Sequence, residues 1–176
     1  MAKYELELKP NDLYNLSDKL KKFADNLPKL QSEILHTLAD YTKSQIKYYI
    51  NQSVNEEYST GWLEQNVFNT EIFNDTIKVF VDTNAVPYAL YVEYGTGIVG
   101  SNNPHPEGNG NYKTEGWWYP TTANDPNPRK KQLENGDWIV YTEGQKAHKF
   151  MYNAFQDLRQ NYKKIIIDLL MEEGYI

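Results

Sequence analysis

The stretch Tyr88-Ala89-Leu90-Tyr91-Val92-Glu93-Tyr94-Gly95-Thr96-Gly97 marks where an ordered apolar run stops against two glycines and a long irregular segment begins. Pro87 fixes its own φ and turns Val86 away from helical geometry, while Tyr88, Tyr91 and Val92 recur at i, i+3 and i+4. That spacing predicts a short helix packed through those three side chains. Gly95 and Gly97 suit a helix end or a turn at positive φ, and the Thr96 side chain between them can bond neighbouring backbone groups. By itself such a Gly-Thr-Gly does no more than end a helix.

Upstream of this stretch the period of the apolar residues changes twice. Tyr4, Leu6 and Leu8 alternate with Lys3, Glu5, Glu7 and Lys9, which predicts a strand over residues 3–9 that Pro10 ends. Leu13, Leu16, Leu20, Phe23 and Leu27 then mark one face of a helix, with Asn11 or Asp12 available as N-cap. Pro28 predicts an interruption and a second, long helix running to about residue 52 with Leu30, Ile34, Leu38, Tyr41 and Tyr49 on its stripe. After the polar residues 53–61, Phe68, Thr70 and Ile72, and then Ile77, Val79 and Val81, alternate on either side of Asn74-Asp75. Asn and Asp tolerate the left-handed geometry of a two-residue turn, so a hairpin of residues 67–73 and 76–82 follows.

Downstream, residues 95–136 hold seven of the ten glycines and five of the eight prolines and show no clear period. They read as a loop arm, with 98–135 as its variable part. Trp117-Trp118-Tyr119-Pro120 within it is too aromatic for a solvated linker, so its rings meet either the chain's own core or a partner. Trp138 to Tyr141 reads as a strand, and Ala147, Met151, Ala154, Leu158, Tyr162, Ile165 and Leu169 set a long amphipathic helix over 147–172. The reading is a single α+β domain spanning 1–176. It has an antiparallel sheet of about four strands (3–9, 67–73, 76–82, 137–142) packed against helices at 11–52 and 147–172.

Composition narrows the function. The formal charge of −6 opposes tight, non-specific nucleic-acid binding, which needs Lys and Arg to displace counterions. Without cysteine there is no disulfide or thiolate metal site, and no segment approaches a membrane span or the apolar core of a signal peptide. Fifteen tyrosines favour contact work over catalysis. His36, His105 and His148 lack metal-ligand spacing, and no Gly-x-Ser-x-Gly elbow, phosphate loop or dinucleotide fingerprint occurs. Glu93 could act as a general base only beside a partner that the sequence does not identify; otherwise it caps, pairs or contacts a subunit. No catalytic, metal or cofactor-binding residue is expected.

Three stretches together resemble the head-tail joining proteins of tailed bacteriophages, a family of neck and tail components. Thr60-Gly61-Trp62-Leu63 is similar to that family's Thr-Gly-x-Leu, and Tyr88 to Gly97 to its Tyr-Ala-x-x-Val-Glu-Tyr-Gly-Thr-Gly. Gly144-Gln145-Lys146-Ala147-His148-Lys149-Phe150-Met151-Tyr152-Asn153-Ala154 is similar to its Gly-x-x-Ala-x-Pro-Phe-Met/Leu-x-x-Ala. Lys149 stands where the family usually has proline, which leaves the start of the last helix less fixed, and Asn66 replaces a usual serine. The resemblance implies a non-enzymatic virion subunit at the neck or tail top, assembled in the host cytoplasm. It implies a ring, a hexamer or dodecamer, that contacts other neck and tail proteins and passes DNA through its lumen without specific binding. The expected signature and subunit-contact residues are Tyr88, Tyr91, Glu93, Gly95, Thr96, Gly97 and Phe150. Trp117 and Trp118 join them from the arm, to which the resemblance assigns no role. Two rivals are a small hydrolase or carbohydrate-binding protein using the Trp-rich loop and Glu93, and a DNA-binding accessory protein.

Overall fold

A computed structural model describes residues 10–53, 61–108 and 114–175; the strand expected at 3–9 lies outside them. The chain is α+β, with helix α1 (Pro10–Ser53), the single turn α2 (Trp62–Gln65) and strands β1 (Val67–Asn69) and β2 (Val79–Val81). Short helices α3 (Ala89–Tyr94) and α4 (Gly97–Asn102) follow, then β3 (Trp117–Thr121), β4 (Lys130–Gln132), β5 (Trp138–Thr142) and helix α5 (Phe150–Glu172).

α1 is one continuous helix of 44 residues with Pro28 inside it, not the two helices expected. Proline removes one backbone donor and crowds the carbonyl a turn earlier, but the helix is held on both sides of it. Leu30 just beyond is buried, and Phe23 just before meets Tyr175 edge to face at 5.9 Å. α5 runs antiparallel to α1, and polar bonds fix the register. Tyr49 Oη donates to Asp157 at 2.8 Å, and Asn161 Nδ2 donates to Tyr41 Oη at 3.2 Å. That bond to Asp157, with burial adding to it, pushes the Tyr49 hydroxyl up to about 12.

The strands form two small sheets in place of the single four-stranded one expected. β1 and β2 are the predicted hairpin, with Val67 opposite Val81 and Asn69 opposite Val79. Asn74 and Asp75 both take positive φ, 49° and 55°, and Phe73 pairs with Thr76 across the turn. Three residues, 70–72, therefore stand opposite two, 77–78, and this extra residue breaks the ladder into a short strand pair and a separate bridge.

The second sheet, ordered β3-β5-β4 and antiparallel throughout, takes two of its three strands, β3 and β4, from the segment expected to be a structureless arm. Trp117 to Thr121 fold back on the chain's own Trp138 to Thr142. Pro120 is tolerated because β3 is an edge strand, where a missing donor breaks no ladder. Polar β4 carries no apolar alternation that could have announced it.

A core cluster joins the helices and the hairpin: Ile46 and Ile50 of α1, Leu63, Val67, Val86, Ala89, and Phe150 and Ala154 of α5. It sits under the start of α5, and that places the candidate site.

Candidate functional site

The stretches Tyr88–Gly97 and Gly144–Ala154, separated by residues 98–143, fold into one knot. α3 buries Ala89 and Glu93, one turn apart on the same face, while Tyr88 and Tyr91 stay 43% and 47% exposed. The packed face of this helix is thus Ala89 and Glu93 with Val92 half-buried, not the tyrosines the i, i+3 spacing suggested.

The chain leaves α3 through Gly95, at φ 75° and ψ 168°, a region open essentially to glycine alone. Thr96 then pairs with Gln145 in both directions, its N–H donating at 2.8 Å and its carbonyl accepting at 3.0 Å. The Thr96 backbone, not its side chain, does the bonding here. Gly97 and Gly144 also have positive φ and touch each other's neighbours closely: a Cβ on Gly144 would lie 2.0 Å from the Thr96 carbonyl oxygen, and one on Gly97 2.2 Å from that of Glu143. Gly95, Thr96 and Gly97 are enclosed by the chain itself rather than launching an arm.

At the centre is Glu93, 4% exposed. Its Oε2 accepts from the Met151 amide at 2.9 Å, and its Oε1 accepts from the Tyr152 amide at 3.0 Å. These are orphan donors of the first turn of α5, and a carboxylate beside them also complements the positive end of the helix dipole. The residue just before α5, Lys149, makes no side-chain cap. It lies at φ 59° and donates its amide to the Glu93 carbonyl at 3.1 Å. Proline, with φ near −65° and no N–H, fits neither requirement, so α5 here starts from a different backbone geometry than a proline would give. The expected uncertainty in that start is resolved by a remote cap.

The partner of Glu93 that sequence reading missed is His105. Its Nε2 lies 3.0 Å from Glu93 Oε1, and its Nδ1 accepts from the Glu107 amide at 3.1 Å. The accepting Nδ1 assigns the proton to Nε2, which donates to the carboxylate. The imidazole is 3% exposed and bracketed by the rings of Tyr94, 4.5 Å away, and Tyr152, 5.3 Å away and nearly perpendicular. Burial, helped by Glu93 and Glu107, pushes the Tyr94 hydroxyl upward. The one local signal was Pro104-His105-Pro106, two prolines that restrict the backbone around the ring.

The other expected residues fall in two groups. Phe150 is 1% exposed in the core, and Gly61 starts α2 at φ 67°, with Leu63 buried and Trp62 Nε1 donating to the Ala85 carbonyl at 3.2 Å. Trp118 is 45% exposed on β3, next to Tyr141 and beneath Lys131, whose Nζ stands 4.1 Å above its ring centroid; Trp117 is half-buried. His36 lies within α1 and His148 next to the knot, where its amide donates to the Val92 carbonyl at 2.9 Å.

Chemically, Glu93 is poorly placed to be a base. Three donors occupy its oxygens, and a general base needs a lone pair open to substrate. A cavity of about 560 Å³ opens beside it, with Phe80, Leu90, Tyr94, Phe150 and Phe155 among a largely apolar lining. Among the described residues no group of three or more His, Cys, Asp or Glu side chains could hold a metal ion, and no helix is long and apolar enough to cross a membrane.

Burial and nearby Lys146 hold the His148 imidazole below its ordinary value. The folded state then favours the neutral ring, so the stability this group contributes is present above about pH 6.5 and lost as pH falls through the lowered value. His148→Gln should therefore lose less stability than the wild type between pH 7.5 and 5. Urea midpoints across that range check it, and parallel pH profiles would refute it.

No protein-family model, curated protein or solved structure matches the chain.

Proposed function

We propose that this chain is a non-enzymatic structural subunit of a tailed-phage virion, forming a ring that connects head and tail. The reading rests on the resemblance of three separated stretches to head-tail joining proteins. One structural observation supports it: the two longest of those stretches are physically one unit, interlocked through Gly95, Thr96, Gly97, Gly144 and Gln145 and tied by Glu93 to the start of α5. A signature whose parts lock together has a shared structural reason to occur together.

The same geometry divides the labour within the signature. Glu93, Gly95, Thr96, Gly97 and Phe150 build the body. Contact with neighbouring subunits falls to the exposed aromatics, Tyr88, Tyr91 and Trp118, because large amphipathic rings are what interfaces enrich. A closed ring repeats one heterologous contact, and the negative charge of the chain lets DNA slide past without sticking. The hydrolase alternative gains nothing from a Glu93 whose oxygens are already engaged.

Negative-stain electron microscopy and mass photometry of the purified chain should show a closed ring, the hexamer or dodecamer that the resemblance implies. A strictly monomeric protein that joins no neck or tail complex would end this reading.

A further inference from the structure

The apolar seam along α1 continues beyond the end of α5. Leu13, Leu16, Leu20, Phe23 and Leu27 follow one another at intervals of 3, 4, 3 and 4 residues, the heptad spacing of a coiled coil, and are 38–60% exposed. Leu30, next in the series, is 1% exposed. The C-terminal residues reach back along α1 as far as Lys22 and Phe23, which both meet Tyr175. Among the described residues, 10–21 therefore overhang by roughly 18 Å at 1.5 Å per residue. A helical segment of that length is marginal in water on its own, and a contiguous line of large apolar side chains marks an interaction surface.

We propose that this overhang pairs with the same segment of a second copy of the chain as a coiled coil. The alternating 3-4 spacing selects another helix, because a ridge of matching period is what fills its grooves. Among the described residues the other long helix is α5, and its 23 residues are already engaged along the C-terminal half of the 44-residue α1. The flanks point to an identical partner. The positions bordering the seam are Asp12, Ser17, Lys19, Ala24 and Asn26, whose two charges cancel, while Asp18 and Asp25 fall on the opposite side of the helix. A fringe of one sign would demand an oppositely charged partner; this nearly neutral one leaves a like helix unopposed even in a chain of charge −6. The pairing does not rest on the ring reading, since a ring could close with or without it.

The chain has no cysteine, so a single introduced one reports a single contact. Leu16→Cys, Leu20→Cys and Phe23→Cys, with Asp18→Cys as far-side control, are oxidised in the full chain at micromolar concentration. Disulfide-linked dimers are expected for at least one seam variant and not for Asp18→Cys. The double variant Leu16→Glu/Leu20→Glu should weaken association at least tenfold by sedimentation velocity. Absence of seam cross-links, equal cross-linking at Asp18→Cys, or unchanged association of the double variant would each overturn the pairing. A ring that persists without seam cross-links removes the coiled coil and leaves the ring reading standing; seam dimers without a ring do the reverse.

Discussion

Gly144→Ala and Gly97→Ala are each expected to lose about 4 kcal/mol or more of folding stability, a large share of the roughly 5–15 kcal/mol that holds an ordinary domain folded. Left-handed backbone costs an L-residue about 1–2 kcal/mol, and Gly144 and Gly97 sit at φ 88° and 66°. The larger part comes from contact: the new methyl groups would lie 2.0 Å from the Thr96 carbonyl oxygen and 2.2 Å from that of Glu143. Both obstacles are backbone atoms fixed by the Thr96–Gln145 pair and the bond from the Val99 amide to Glu143, so neither can swing aside as a side chain can. Gly136→Ala supplies the comparison, since its φ is 89° and a Cβ there meets nothing within 4 Å. It should cost about 1 kcal/mol, the conformational part alone. Urea denaturation of the three variants checks this, and equal losses at Gly136 and Gly144 would show that close approach is not what the knot requires.

Glu93→Ala is expected to lose about 3–5 kcal/mol, because three buried donors lose their acceptor at once. Glu93→Gln keeps one carbonyl oxygen but turns an NH₂ toward another donor, and should lose about 2–3 kcal/mol. The loss has a local mark. Amide exchange at Met151 and Tyr152 should accelerate more than exchange in the middle of α5, whereas an unchanged rate at those two amides would rule out the cap.

What sequence could deliver depended on whether the deciding contact was local. The hairpin was legible because alternation and Asn74-Asp75 are properties of adjacent residues, although the extra residue between Asn69 and Phe73 was not. α5 and the stripe of α1 were legible from period alone. Continuity through Pro28 was not, because contacts with Leu30 on one side and Phe23 on the other outweigh a local break. β3 and β4 were hidden by the glycines and prolines around them and by an edge strand, Lys130 to Gln132, without apolar alternation. In the site, the glycines announced a special backbone, but not that it served close approach to residues 143–147. The pairing of Glu93 with His105 joins two loop-flanking residues that no spacing rule connects, and Tyr88 and Tyr91 face outward because the buried side of α3 is set by Glu93.

The remote cap on α5 has a consequence for the order in which this chain can fold. Most helices satisfy their first amides with a side chain a few residues away, so their start forms as soon as that short segment is made. Here Met151 and Tyr152 find their acceptor 58 and 59 residues upstream. The closure entropy of so long a loop rises only slowly with length but must be met before the first turn is secured. α5 can therefore gain its middle turns from its own period, whereas its beginning is secured only once α3 has arrived; the bonds to α1 close longer loops still, across 108 and 120 residues. The expected order is middle turns first and first turn later, and pulse-labelled amide exchange that protects Met151 and Tyr152 no later than the middle of α5 would overturn it.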